Sequence, residues 1–236
     1  MRIGMADVAA LERGVSLLGS GGGGSSPVMG TLLRQRLSSQ RHVSVSAMGD
    51  FSPDVLVVPV GVVGATAVFT EKLPSGNEFP AAVAAIERWT GQTAQAMMSI
   101  EVGGINGMIP LVAASESAFP YLDADLSGRG VPRLDQLSVA AAGRGLAPVA
   151  LAEPSGQVLV VAEGAPTDVE RTARAFLSGT SGWAVMALAP IPAGDLSTCA
   201  VPGTLRGALA LGRAALSTVS SDGAALAEST GGLVLG

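Results

Sequence analysis

The chain has 236 residues, of which 48% are hydrophobic, 14% are charged and only 3% are aromatic, and it contains 32 glycines. This length allows one large domain, whose core must be built largely from alanine and valine because aromatic residues are scarce. The net charge is −5 and no basic run is present, which argues against nucleic acid as the main partner.

The compartment can be predicted from the cysteine content and from the apolar segments. A single cysteine, Cys199, excludes an internal disulfide framework and fits a reducing compartment. The N-terminal residues lack the basic region and apolar run of a secretory signal. Gly, Pro or charged residues interrupt each apolar segment before it reaches the roughly 18–20 residues that span a bilayer. We therefore expect a cytoplasmic protein without a membrane partner.

A glycine loop between two helices is predicted near the N-terminus. Apolar residues at helical spacing predict a helix over 7–18, and Pro27 suits the first turn of a second helix. The helix N-terminus after the loop favours an anion or a polarised oxygen, although the loop could instead be a flexible joint. Nucleotide binding is disfavoured, because phosphate-binding glycine loops follow a strand and the P-loop continues with Lys-Ser/Thr. The glycines are Gly21, Gly22, Gly23 and Gly24.

Strands and helices alternate in the following part of the chain. Strands are predicted over 42–47, 54–60, 96–102 and 119–122, and helices over 79–89 and 103–117. This alternation predicts an α/β fold whose mostly parallel sheet has helices on both faces. Residues 137–163 break into short strand-like runs that form a small β-rich insertion, either a hairpin or an edge of the sheet.

The later segments are predicted to continue the same domain. A helix is expected over 166–177, a strand over 183–189, a helix over 201–216 and a last helical turn or two over 224–230. We assign residues 1–165 to an α/β domain of catalytic type and residues 166–236 to a continuation that packs on it.

Acidic residues flanked by glycine recur at the ends of predicted strands. Because the carboxyl ends of parallel strands share one edge of a sheet, these side chains could converge. Carboxylates in a glycine-lined cleft can activate water or hold a divalent metal ion. The alternatives are turn caps for the two aspartates and a surface ion pair for the glutamate beside lysine. The residues are Glu71 with Lys72, Glu101, and Asp123 with Asp125.

Several other chemistries are disfavoured by the residues present. His42 is the only histidine, so one chain cannot build a histidine-rich zinc site. Cys199 has no obvious base nearby in the sequence and is interpreted as structural. A Gly-x-Ser-x-Gly nucleophile elbow is absent, which weakens a serine-hydrolase interpretation.

Five motifs that occur together and in order resemble the S-methyl-thiohydantoin desulfurase family. The later Val-Pro-Gly-Thr-Leu-x-x-Ala-Leu-x-Leu-Gly-Arg of residues 201–213 fits the same family, so the resemblance covers essentially the whole chain. The motifs are Leu-Gly-Ser-Gly-Gly-Gly-Gly at 18–24, Val-Pro-Val-Gly at 58–61, Glu-Lys-Leu-Pro-Ser-Gly-Asn-Glu at 71–78, Glu-Val-Gly-Gly-Ile-Asn-Gly at 101–107 and Asp-Ala-Asp-x-x-Gly-Arg at 123–129.

The resemblance implies a cytoplasmic hydrolase that acts on a small thiohydantoin or hydantoin-type ring. Water would attack the ring carbon between the two nitrogens, expel a thiol and leave a carbonyl. Glu101, Asp123 and Asp125 would activate the water or hold a divalent metal. The substrate would be bound by Glu71, Lys72, Asn106, Arg129 and the amides of Gly21–Gly24.

Two departures from the family pattern leave other functions open. Ser25-Ser26-Pro27 stands where family members commonly carry Asp-Pro, and they usually continue into a second, β-rich domain beyond the end of this chain. The chain could then be a non-catalytic module that binds small ligands. It could also be a homo-oligomer, or one subunit of a hetero-oligomer whose partner chain supplies the missing domain.

Overall fold

The computed structural model describes residues 1–20, 22–24, 26–37, 42–116, 119–217 and 227. Its helices are α1 Val8–Leu18, α2 Ser26–Arg36, α3 Thr66–Glu71, α4 Glu78–Thr90, α5 Ile109–Glu116, α6 Ser138–Ala141, α7 Pro166–Ser178 and α8 Thr204–Ser217. Its strands are β1 Arg2–Ile3, β2 Val43–Ser46, β3 Leu56–Gly64, β4 Ala96–Ser99, β5 Tyr121–Leu122, β6 Ala124–Asp125, β7 Val149–Ala152, β8 Val158–Val161, β9 Trp183–Leu188, β10 Ile191–Pro192 and β11 Val201–Pro202. The helical turns expected over 224–230 fall almost entirely outside the described residues.

The main sheet is mixed, with a parallel core, and its strand order is β1-β2-β5-β4-β3-β9-β7-β8. Strands β2, β5, β4 and β3 run parallel, whereas β9, β7 and β8 continue the sheet in antiparallel pairs. The expected α/β fold class is thereby confirmed. The runs within 137–163 form α6 and an antiparallel β7–β8 hairpin, and β8 is an edge strand of the main sheet.

Helices cover both faces of the sheet, as the sequence predicts. Alternate residues of β3 enter two different cores, because successive strand side chains point to opposite faces. Val58 belongs to the core that contains Ile86 of α4, whereas Val57 belongs to the core that contains Val169 of α7. All of these side chains are completely buried.

Strand β3 extends further than the sequence predicts, and strand β4 ends earlier. Because β4 ends before β3 does, an opening forms in the sheet. The two strands pair in parallel only from Val57 with Ala96 to Val60 with Ser99. Strand β3 then continues to Gly64, because β9 still pairs with it in antiparallel orientation. Beyond Val60, β3 therefore has a strand neighbour on one side only.

Two helices from distant parts of the chain meet at backbone distance. A Cβ atom on Gly14 of α1 would lie 1.8 Å from the carbonyl oxygen of Ala208 in α8. A Cβ atom on Gly212 of α8 would lie 1.7 Å from the carbonyl oxygen of Ala10. Only glycine permits such an approach, so these two positions fix the α1–α8 crossing.

Candidate functional site

A cavity of about 430 Å³ lies at the opening where β3 and β4 separate. Its walls are the glycine loop after α1, the free end of β3, the loop after β4 and the segment 129–137. The carboxyl end of a parallel strand pair is the usual ligand position in such sheets. The cavity therefore lies where the sequence predicted a convergence of functional groups.

Three glycine-containing loops contact each other through their backbones behind this cavity. The Ile105 N–H donates a 2.7 Å hydrogen bond to the Gly23 carbonyl, and the Gly130 N–H donates a 2.9 Å bond to the Leu18 carbonyl. Gly104 has a φ of +64°, and a Cβ atom there would lie 1.9 Å from the Gly23 oxygen. The glycine loop is thus packed into the site rather than acting as a flexible joint.

The predicted use of the glycine amides requires correction. The N–H groups of Gly22 and Gly23 both donate to the Gly19 carbonyl, at 3.0 and 3.2 Å. These amides are therefore committed to the turn of the loop, and the loop lines the cavity with Ser20 and with the backbone of Gly19, Gly22 and Gly23. Gly24, with a φ of +83°, lies outside that lining against Ile105 and Thr66. The prediction for Gly21 lies outside the described residues.

Glu101 is the one carboxylate among the described residues that line the cavity. Asn106 Nδ2 donates to its Oε1 at 2.8 Å, and the Val131 N–H donates to its Oε2 at 2.7 Å. Burial raises the pKa of Glu101, while these two hydrogen bonds and the positive charge of Arg129 oppose the rise. A partly desolvated carboxylate of this kind can exchange a proton with water or substrate.

Arginine side chains make the cavity lining positive. Arg129, which the sequence identified, lines the cavity with Arg133 and Arg174. Arg174 of α7 is held by Glu170 at 2.8 Å and by the Pro132 carbonyl at 3.0 Å. Guanidinium groups bind carboxylates through paired donors, so this lining favours an anionic substituent on the ligand.

Asp125 is a buried structural carboxylate. Its Oδ2 accepts the Val102 N–H at 2.5 Å, and its Oδ1 accepts the N–H groups of Ser127 and Gly128 at 3.2 and 2.8 Å. Burial raises the pKa of Asp125 to about 6 against these hydrogen bonds. Asp125 thus joins the loop after β4 to the segment that carries Arg129, in line with the turn-cap alternative.

Asp123 serves mainly as the cap of α8. Its Oδ1 accepts the Leu205 N–H at 2.9 Å, and its buried Oδ2 lies 3.8 Å from Nε of Arg206. Carboxylates at a helix N-terminus satisfy free N–H groups and favour the helix dipole. Asp123 therefore acts on the start of a helix and does not line the cavity with Glu101.

The predicted metal site is not formed by these carboxylates. Within the described part of the chain, no three His, Cys, Asp or Glu side chains lie close enough to hold a metal ion. Asp123 Oδ1 and both oxygens of Asp125 instead accept backbone N–H groups. The donor set does not fit a divalent cation, and we derive no step through one.

The predicted Glu71–Lys72 pair lies away from the cavity lining. Both residues are exposed at the end of α3, a short helix that the sequence analysis did not predict. The helix forms because Phe69 packs edge-on against Trp183, with ring centroids 4.7 Å apart. The Trp183 indole N–H also donates to the Lys72 carbonyl at 3.0 Å.

Sequence reasoning missed the cavity residues that come from other segments. Arg174 belongs to a helix that reads as an ordinary charged surface helix, and Arg133 and Leu137 lie in an irregular segment. The sequence offers no local signal for these positions.

Two disfavoured candidates lie away from the cavity: His42 is exposed, and Cys199 is buried in the core that contains Val169.

The chain contains no candidate membrane helix within the residues that the structure describes. A comparison with curated proteins gives no match. Among solved structures, the crystal structure of a protein from Chromobacterium violaceum has 25% sequence identity and a TM-score of 0.82 to this chain. The alignment covers 97% of this chain but only 65% of that one.

Two family models match consecutive parts of the sequence. The S-Me-THD-like N-terminal domain matches residues 6–163, and the S-Me-THD-like C-terminal domain matches residues 165–236. The second match falls on residues that we expected to continue the first domain. Together the two matches span nearly the whole sequence, and the chain therefore belongs to the S-methyl-thiohydantoin desulfurase-like family.

Proposed function

We propose that this chain hydrolyses a small S-methyl-thiohydantoin-type ring, with Glu101 as the general base. The observation that carries the proposal is the position of Glu101. It is a buried carboxylate beside Arg129 in a glycine-walled cavity, in a chain of the S-Me-THD-like family. The volume of about 430 Å³ lies within the range of small-molecule sites, roughly 300–1,000 Å³.

The reaction consumes one water molecule and releases one thiol. Glu101 takes a proton from water as the water oxygen bonds to the ring carbon between the two nitrogens, and the electron pair of the C=N π bond moves to the ring nitrogen. The carbon–sulfur bond then breaks as the carbonyl forms, and the hydroxyl proton moves to that ring nitrogen. The proton held by Glu101 passes to the departing thiolate to give methanethiol. Such acid–base assistance contributes about 10²–10⁴-fold to a rate.

The arginines are proposed to orient the ring through an acidic substituent. Arg129, Arg133 and Arg174 line the cavity together with the backbone of Gly22 and Gly23. A planar ring can lie against that backbone, since no side chain projects from Gly22 or Gly23. Neutral hydantoin-type rings should therefore bind more weakly than rings that carry a carboxylate.

The test is incubation with an S-methyl-thiohydantoin that bears a carboxylate, with thiol release followed by a colorimetric thiol reagent. We expect turnover by the natural chain and a loss of at least about 100-fold in Glu101→Gln. Glu163→Gln, which changes an exposed glutamate on the loop before α7, is the matched control and should retain the natural rate.

Two results would count against the proposal. Absence of thiol release with and without added divalent metal would contradict catalysis by this chain. If hydantoins then raised the melting temperature without turnover, the chain would be a ligand-binding module instead.

A further inference from the structure

We propose that Asn106 is a positioning residue that holds the Glu101 carboxylate in a fixed orientation at the opening between β3 and β4. The proposal rests on the proposed function for the catalytic role of Glu101, but the positioning itself is a property of the free protein. It replaces the expectation that Asn106 binds substrate, since its side-chain amide is already occupied.

The Asn106 side chain takes the place of the missing strand beside β3. Its Oδ1 accepts the Val62 N–H at 2.6 Å, and its Nδ2 donates to the Val62 carbonyl at 2.9 Å. This pair of bonds is what an adjacent strand would offer, at the level where β4 has already turned away. Asn106 is only 3% exposed, so Val62 would lose both partners in a low-dielectric setting without it.

The second N–H of the same amide points at the candidate base. Asn106 Nδ2 donates to Oε1 of Glu101 at 2.8 Å, and its backbone carbonyl accepts the Ser99 hydroxyl at 2.7 Å. A primary amide offers an acceptor oxygen and two N–H donors in one plane, and here both donors are used and the oxygen accepts one bond. The orientation of Oε1 is therefore tied to the position of β3.

The other influences on Glu101 come from neighbouring loops. The Val131 N–H holds Oε2, Arg129 supplies a positive charge, and the Asp125 carboxylate interacts with Glu101 electrostatically. Of the two hydrogen bonds that the described residues donate to the carboxylate, the bond from Asn106 comes from a side chain and the bond from Val131 comes from the backbone. Position 106 is thus the place where substitution can change that bond without altering the backbone.

The first experiment uses the natural chain and no substrate. In protein labelled with ¹⁵N and with ¹³C at the glutamate side-chain carboxyls, NMR spectra are recorded across the acidic pH range. The Glu101 signal is assigned by its loss in Glu101→Gln. We expect the Asn106 side-chain NH₂ to titrate with the same midpoint as Glu101 and to become pH-independent in Glu101→Gln. An Asn106 signal that does not change as Glu101 titrates would overturn the proposal.

The second experiment changes the donor into an acceptor. Asn106→Asp keeps Oδ1 for Val62 but places a carboxylate oxygen against Oε1, so the Glu101 midpoint should rise by about one unit or more. Ser99→Ala is the matched control, because it loosens the same loop without touching the carboxylate. It should lower the melting temperature and leave the Glu101 midpoint within about 0.3 units.

A double variant separates positioning from general loop stability. When Glu101→Gln is combined with Asn106→Asp, the new amide at position 101 can donate to the new carboxylate at position 106. The double variant should therefore melt above Asn106→Asp alone, and this comparison applies even where Asn106→Asp fails to fold. Equal or lower stability of the double variant would contradict the proposal. The NMR and melting results do not depend on whether a thiohydantoin is hydrolysed. The positioning role of Asn106 and the proposed hydrolysis are therefore tested independently.

Discussion

At the residue scale, Glu101 and Asp125 show how the same functional group, a carboxylate, can take two roles within a single site. Both are buried, and burial raises the pKa of each. The oxygens of Asp125 accept hydrogen bonds from three backbone N–H groups. Glu101 accepts two hydrogen bonds and lines the cavity. The number of fixed donors thus separates a structural carboxylate from one that can meet a ligand.

The charge of Arg129 should be visible in the pH dependence of activity. Because this charge lowers the pKa of Glu101, Arg129→Met should raise that pKa. A general base works when ionised, so the acid limb of kcat/KM should move to higher pH, by up to about one unit. The measurement is kcat/KM against pH for the natural chain and the variant.

Arg133→Met is the comparison for Arg129→Met. Arg133 lines the same cavity but is paired with Asp135 at 2.8 Å. Its charge is not among the causes that shift the pKa of Glu101. Arg133→Met should weaken the binding of a carboxylate-bearing substrate without moving the acid limb of kcat/KM. An equal shift in both variants, or a shift to lower pH in Arg129→Met, would show that Arg129 does not act through Glu101.

The sequence selected Glu101 because it lies at the end of a predicted strand, and the family resemblance added Arg129. The strand-end rule also selected Asp123 and Asp125, and it could not show where their side chains point. Backbone donors that lie close in space decide these directions, because the Leu205 N–H bonds to Asp123 and the Val102 N–H bonds to Asp125. Those donors come from segments that are distant in sequence.

At the element scale, the close approach of α1 and α8 depends on two glycines. Gly212→Ala places a methyl group 1.7 Å from the Ala10 carbonyl oxygen, so the helices must move apart. We expect the free energy of unfolding to fall by about 1–3 kcal/mol or more, measured by chemical denaturation.

Gly207→Ala in the same helix is the matched control for Gly212→Ala. A Cβ atom at Gly207 meets nothing within 4 Å, and alanine favours a helix over glycine by about 0.8–1 kcal/mol. Gly207→Ala should therefore leave stability unchanged or raise it. Destabilisation of similar size in both variants would show that the loss of stability in Gly212→Ala does not come from the helix crossing.

Most element positions could be predicted from apolar spacing, but the ends of β3 and β4 could not. The pattern of β3 suggested an end at Val60, whereas pairing with Trp183–Leu188 carries the strand to Gly64. The strand predicted over 96–102 ends at Ser99. These limits depend on partners far along the chain, which local periodicity does not report.

At the scale of the whole molecule, the two family matches share one sheet. Strand β9, from the region of the C-terminal match, lies between β3 and β7, which both belong to the N-terminal match. Helix α7, from the same C-terminal region, also carries Arg174 of the cavity. The fold class was predictable from the alternation of elements, but this insertion of a late strand into the middle was not.

A chain that ends at residue 164 should therefore fail to form the native fold. Removing β9 would expose the edges of β3 and β7, and unpaired apolar edges promote association. We expect aggregation or loss of a cooperative melt, measured by gel filtration and by circular dichroism on heating, with the full chain as the control. A soluble monomer of residues 1–164 with a sharp transition would contradict this expectation.

The backbone contacts among the three glycine loops limit how the substrate range of such a site can be altered. Gly104 fits against Gly23, and Gly130 is bonded to Leu18, so no loop can be replaced or lengthened without redesigning the other two. Variation that alters ligand preference should therefore accumulate on cavity side chains outside the three glycine loops, such as Thr66 and Leu137. A library that randomises those side chains should give more folded variants than one that randomises the glycines.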